Sequence, residues 1–209
     1  MGFMASPREE PPSSIEEDMV DEDFLDDVRD TGHNTERDAE LMLSAQLRDG
    51  NPDAFARVVV QYTDRLTRLA FYITGSRDSA DDVVQKVFVD LWERRDALRV
   101  ESLKSYLFRA VHNRALNDRK ATAVRKRYQM TVLAEAEAAA PSPENRVLTQ
   151  AVVQAAVDQL AERRQIAIRL RFEEQMTHAE IANILAISPL AARLLVARAL
   201  ADLREILEK

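Results

Sequence analysis

Two adjoining helical patterns of opposite charge, between Asp78 and Arg127, constrain this chain more than any other feature. In the first, Val83, Val84, Val87, Phe88, Leu91 and Trp92 recur at spacings of three and four and form one wide apolar stripe. Its first turn, around Asp78, Asp81 and Asp82, is acidic, as suits a helix N-terminus. In the second, Lys104 to Arg127, eight Lys and Arg stand against the single acid Asp118. Wound as a helix, it places Arg109, Asn113, Asn117 and Lys120 on one face and Leu103, Leu107, Ala110 and Val111 on the other. Neither stripe can stay in water, so each needs neighbouring helices to cover it.

Composition agrees with an all-α fold. Only 4 Gly and 7 Pro in 209 residues argue against a turn-rich β architecture. The length suits two small domains or one medium one. Without a cysteine there is no disulfide, thiolate nucleophile or cysteine metal site. No apolar run approaches membrane-spanning length and the N-terminus lacks a secretory layout, so no membrane insertion and a cytoplasmic location are expected. There is no phosphate-binding Gly loop and no dinucleotide turn, and His33, His112 and His178 share no ligand spacing. No catalytic residue, metal or cofactor is expected, and the chain reads as a non-enzyme.

The charge is segregated along the chain. Against a net charge of −7, residues 1–40 hold 14 acids and 3 Arg, a balance of −11, which leaves +4 for the other 169. An acidic segment beside a basic stripe is the charge footprint of a nucleic-acid binder with a polyanion-like appendage. Residues 1–37 are expected to be a disordered acidic extension, either a solubility tail or a competitor of DNA for the basic stripe. Residues 38–130 read as a helical domain, with a break at Asp49 to Pro52, Asp53 as the cap of a helix over Ala54–Thr74, Asp78 or Ser79 starting the next, and Ser102 capping the basic one. Residues 131–146, with Pro141 and Pro143, read as a flexible linker, and 147–209 as a second helical domain.

That second domain carries a helix-turn-helix pattern. Thr177 and Glu180 have the spacing of a capping box, Ala182 is small where two helices must cross, and Ser188-Pro189 begins the following helix. A plain helical hairpin is the competing reading. On the second helix, Ala192, Val196, Ala199 and Leu203 are assigned to the core. Leu190, Arg193, Leu194, Ala197 and Ala201 are assigned to the outer face, with Arg198 to the side. Only Arg193 and Arg198 suit base readout, so this greasy face also reads as a protein contact.

The basic helix offers base-edge amides between phosphate-binding cations: Lys104, Arg109, Asn113, Arg114, Asn117, Lys120, Arg125, Lys126 and Arg127. Tyr106 and Phe108 could stack on unpaired bases, although core packing is preferred for both. For Arg125 to Arg127 a solvated helix end stands beside phosphate contact. Asp81, Asp82 and Gln85 stay outside the acidic helix's stripe and could meet a basic partner, or simply serve the helix terminus.

The acidic-start helix, the basic helix and the helix-turn-helix, in that order, resemble an extracytoplasmic-function (group 4) sigma factor of bacterial RNA polymerase. The resemblance covers roughly Asp38 to Glu208. It implies two helical domains, regions 2 and 4, and promoter-specific initiation. Asp81, Asp82, Gln85 and Phe88 would dock on the β′ clamp of core RNA polymerase. Asn113 would stand at a position associated with −10 base recognition, and the loop 93–102 would hold a flipped base. Region 4 would contact the β flap and −35 promoter DNA, and an anti-sigma factor would be a partner. The chain departs from the family pattern at Lys86, where an acid is usual, at Ala186 in place of the turn Gly, and at Leu194, Leu195 and Ala197 on the recognition helix. A sigma-like mimic that binds an anti-sigma regulator, and a helix-turn-helix repressor, are the alternatives.

Overall fold

Hydrophobic periodicity in this chain resolves into helices wherever the structure describes it; the structure is a computed structural model that describes residues 33–98, 102–129 and 148–208. The order is α1 (His33–Arg48), α2 (Pro52–Thr74), α3 (Arg77–Glu93), a 3-10 turn (Arg95–Ala97), α4 (Leu103–Gln129), α5 (Leu148–Asp158), α6 (Glu162–Phe172), α7 (His178–Leu185) and α8 (Pro189–Leu207). No strand occurs among the described residues, so the all-α expectation holds. Helix α1 starts at His33, five residues before the first periodic residue expected at Asp38. The linker 131–146 and the acidic extension up to residue 32 lie outside the described residues.

Caps punctuate the first half, and two differ from expectation. Asn51, not Asp53, caps α2: its Oδ1 accepts from the N–H of Asp53 and of Ala54, while Pro52 fills the first helical position, where its missing N–H costs nothing. Ser76, not Asp78 or Ser79, caps α3, because Gly75 ends α2 at φ 69° and hands the chain straight to an extended Ser76. Ser102 caps α4 as expected, its Oγ accepting from Ser105 N at 3.1 Å.

Helices α2, α3 and α4 pack on one another through Leu66, Leu69, Val83, Val87, Leu91, Leu107 and Val111, all nearly inaccessible. Phe55 sits edge-on to Phe88 and 5.0 Å from Trp92, and Arg95 lies over the outer face of that indole at 4.5 Å. The second half forms around Ile166, Leu170, Ile181, Ile184, Val196 and Leu203. Thr177 and Glu180 form a reciprocal capping box, and Ser188 caps α8 with Pro189 at its start. Helices α7 and α8 meet at 101°, the geometry of a helix-turn-helix. No single described helix is long and apolar enough to cross a membrane.

The turn between them is strained where the sequence lacks glycine. Ala186 takes φ 52°, ψ 52°, and the N–H of Ile187 reaches back to the carbonyl of Ala182 at 3.0 Å. A Cβ is unfavourable in this left-handed region by about 1 kcal/mol, part of which glycine's unfolded-state entropy would cancel. Ala186→Gly is therefore expected to stabilise the protein by about 0.5 kcal/mol, read as a slightly higher midpoint of thermal unfolding. An unchanged or lowered midpoint would contradict the strain.

Candidate nucleic-acid interface

Helix α4 presents three stripes rather than two. Leu103, Leu107, Phe108, Val111 and Ala115 are buried against α2 and α3, and Phe108 is core, as preferred. Tyr106 is partly buried and packs against the core edge. A second stripe is open: Arg109, Asn113, Asn117 and Lys120 are exposed, so the amide-and-cation face expected for base and phosphate contact exists and faces outward. The third stripe, Ser105, His112 and Arg119 with Arg109 at its margin, was not foreseen. It meets the second half of the chain: Ser105 Oγ lies 3.0 Å from Glu180 Oε1, Arg109 donates to Asn183 Oδ1 at 2.8 Å, and Arg119 pairs with Glu162.

Other candidates are already engaged. The Lys104 ammonium donates to the backbone carbonyl of Glu174, and its backbone N–H to Glu40. Burial, then the neighbouring Arg65, lowers the Lys104 pKa, and Glu174, Glu180 and Glu40 oppose that shift. Arg114 is tied to Asp90 on α3, which turns it away from the open amide face. Arg125, Lys126 and Arg127 fall within α4, but their side chains lie outside the described residues. On α8, Arg198 is exposed and Arg193 partly so, while Leu190, at 67% exposure, and Leu194, at 48%, form the greasy face read from the sequence.

On α3, Asp82 and Gln85 are exposed and Asp81 partly so, and Lys86 pairs with Asp82 at 3.6 Å. Phe88 needs correction: it is buried, with its ring committed to Phe55, because position 88 continues the core stripe of 84, 87 and 91. The exposed apolar group near Gln85 is instead Val89, one turn on, which hydrophobic patterning alone had not singled out.

With this geometry the comparisons agree. Residues 58–125 match the family model for Sigma-70 region 2, and residues 150–203 that for Sigma-70, region 4. The chain belongs to the sigma-70 family. It is similar to the ECF RNA polymerase sigma factor BldN of Streptomyces coelicolor, 27% identical over 173 residues, which is 80% of this chain and 65% of that relative. The chain thus spans less than two thirds of that curated relative's length. In fold it resembles CnrH in complex with the cytosolic domain of CnrY (TM-score 0.57, 24% identity, 81% of this chain and 97% of the other). It also resembles the sigma factor RpoE in complex with the anti-sigma factor NepR from Bartonella quintana (TM-score 0.59, 22% identity, 74% of this chain and 96% of the other). Region 2 of this sigma-70 family chain therefore contains α4 and its open face, and region 4 contains the α7–α8 turn.

His112, buried on α4, is expected to make folding stability depend on pH. Burial holds its imidazole below the ordinary value of 6.5; a hydrogen bond with Asn113 and the charge of Glu162 pull upward, and Arg163 and Arg119 push further down. A depressed histidine pKa means that the unfolded chain takes up a proton the folded chain refuses, so stability rises with pH across this window. Stability should begin to fall as pH drops below about 6.5 and level off once the lowered folded-state value is passed. His112→Gln should flatten that slope in urea titrations run at pH 7.5 and 5.5; an unchanged slope would remove His112 from the account.

Proposed function

We propose that the chain is an extracytoplasmic-function (group 4) sigma factor, acting in the cytoplasm, that binds core RNA polymerase and directs it to promoters. One observation carries the reading: matches to regions 2 and 4 occur in order, and within region 2 Asn113, Asn117 and Lys120 of α4 are exposed, with Arg109 beside them on Asn183. Asn113 and Asn117 would read unstacked −10 bases, and Arg109 and Lys120 would hold the flanking phosphates. Selective affinity for the open strand would then favour melting, with no covalent chemistry. The exposed Asp82, Gln85 and Val89 surface of α3 would meet the polymerase clamp, and α8 would face the −35 element through Arg193 and Arg198. The apolar Leu190 and Leu194 favour a second role for α8 as a protein contact, such as an anti-sigma factor.

Gel filtration separates this reading from a repressor. The chain should travel alone as a monomer and shift quantitatively onto core polymerase when the two are mixed. A stable dimer that binds duplex DNA and ignores polymerase would refute the proposal.

A further inference from the structure

The segment that leads from α3 into α4 is held at both ends by α1 and the turn that follows it. At its start, the Arg95 guanidinium lies over the Trp92 ring at 4.5 Å and donates to the Trp92 carbonyl at 2.7 Å. The turn after α1 closes on the same side chain. A Cβ at Gly50 would stand 3.5 Å from Arg95 Nε, and Gly50 takes φ 79°, a conformation that a side chain disfavours. At the end of the segment, Ser102 Oγ and the backbone N–H of Lys104 both donate to Glu40 Oε1 of α1, the first at 3.3 Å. Ser102 Oγ in turn accepts from Ser105 N. Two of the donors that a helix N-terminus leaves open are thereby met, one by the local cap and one by a carboxylate 64 residues upstream. A negative charge also suits that end of the α4 dipole.

Helix α1 contributes little to the core. Among its described residues Leu47 is buried and Leu43 packs at the core edge, while Leu41 is 49% and Met42 71% exposed. It also lies outside the region 2 match, which begins at Val58. What α1 does supply is one polar contact at each end of the segment that starts the DNA-reading helix.

We infer that α1 braces the entry to α4 and that Glu40 is a positioning residue for promoter recognition. The inference rests on the promoter-binding reading above, since that reading gives α4 its task. Glu40 touches neither base nor phosphate in this role. It keeps the first turn of α4 wound, and the open stripe that begins at Arg109 is built on that turn. Arg95 steadies the other end of the same segment.

The test compares Glu40→Ala, Glu40→Gln and Arg95→Gln in the full chain. Amide hydrogen exchange of the chain alone reads the brace. The Lys104 amide should exchange about tenfold faster in Glu40→Ala, with the amides of α2 unchanged. Glu40→Gln keeps an oxygen acceptor for both donors and should restore slow exchange. Chain-dependent initiation by core polymerase on a promoter library reads the function. Glu40→Ala should lower it about threefold at every start site, the factor expected if one first turn in three stays wound, with base preference intact. Arg95→Gln should give a similar uniform loss, and Glu40→Gln near-native initiation. Unchanged exchange at Lys104, or faster exchange with full initiation, would overturn the inference. So would faster exchange spread through α2, or a Glu40→Gln chain as impaired as Glu40→Ala, because either makes Glu40 merely structural. A chain whose Lys104 amide responds as described but which never initiates, altered or not, sinks the promoter reading instead.

Discussion

Asn113→Ala is expected to lower promoter-dependent initiation ten- to a hundredfold, while loss of its hydrogen bond with His112 costs at most about 1 kcal/mol of stability. Asn113 is exposed on the open stripe of α4 and no part of its side chain belongs to the core. Loss of one well-placed amide–base contact removes about 1–3 kcal/mol of discrimination. The loss should be confined to one position of the −10 element, so that a library of base substitutions shows relaxed preference there and nowhere else. Lys120→Ala, on the same stripe, should weaken all sequences alike and reduce the salt dependence of binding, because a phosphate contact carries no base information. Equal, position-independent losses in the two variants would mean that Asn113 does not read a base.

The second large effect is on stability. Arg169 is 3% exposed, pairs with Asp158 at 2.8 Å and with Glu173 at 2.7 Å, and also bonds Gln154. Its guanidinium ties α5 to α6 while lying over Tyr72, whose pKa burial raises and Arg169 lowers. Arg169→Leu breaks this knot, but Asp158 and Glu173 are 54% and 39% exposed and stay solvated, so the cost is about 2 kcal/mol of lost charge-assisted hydrogen bonds. For a chain of this size that is a drop of roughly 4–8 °C in Tm. Tyr72→Leu removes only the ring contact, and a double-mutant cycle should give about 1 kcal/mol of coupling between the two. A loss below 1 kcal/mol for Arg169→Leu would show that the surrounding water already screens these charges.

The helix-turn-helix was the most legible part of the sequence, because each of its signals is local. The capping box, Ser188-Pro189 and the inward stripe of Ala192, Val196, Ala199 and Leu203 stand where those residue types point, whereas Ala186 takes its left-handed conformation against its type. The displaced caps had a local signal too: Pro52 belongs at a first helical position, which makes Asn51 the cap, and Gly75 leaves Ser76 as the next available one. Phe88 lay on a stripe wide enough to admit both a core and a surface role, and only its ring contact with Phe55 decides between them. What the sequence could not show is the third stripe of α4. A polar face that meets another polar face leaves no hydrophobic period, so Ser105, Arg109 and Arg119 look the same in sequence whether they face solvent or region 4. Of the buried charges, Arg169 has one partner at a legible i,i+4 spacing, Glu173, but Asp158 and the Arg65 partner of Glu174 come from other helices that no spacing rule connects.

Start-site mapping tests the central claim most directly: purified core polymerase transcribes a promoter library with and without the chain. Initiation that depends on the chain, at start sites sharing one −10-like element, is the predicted result. No chain-dependent initiation, from a protein shown to be folded and bound to core, would contradict the account.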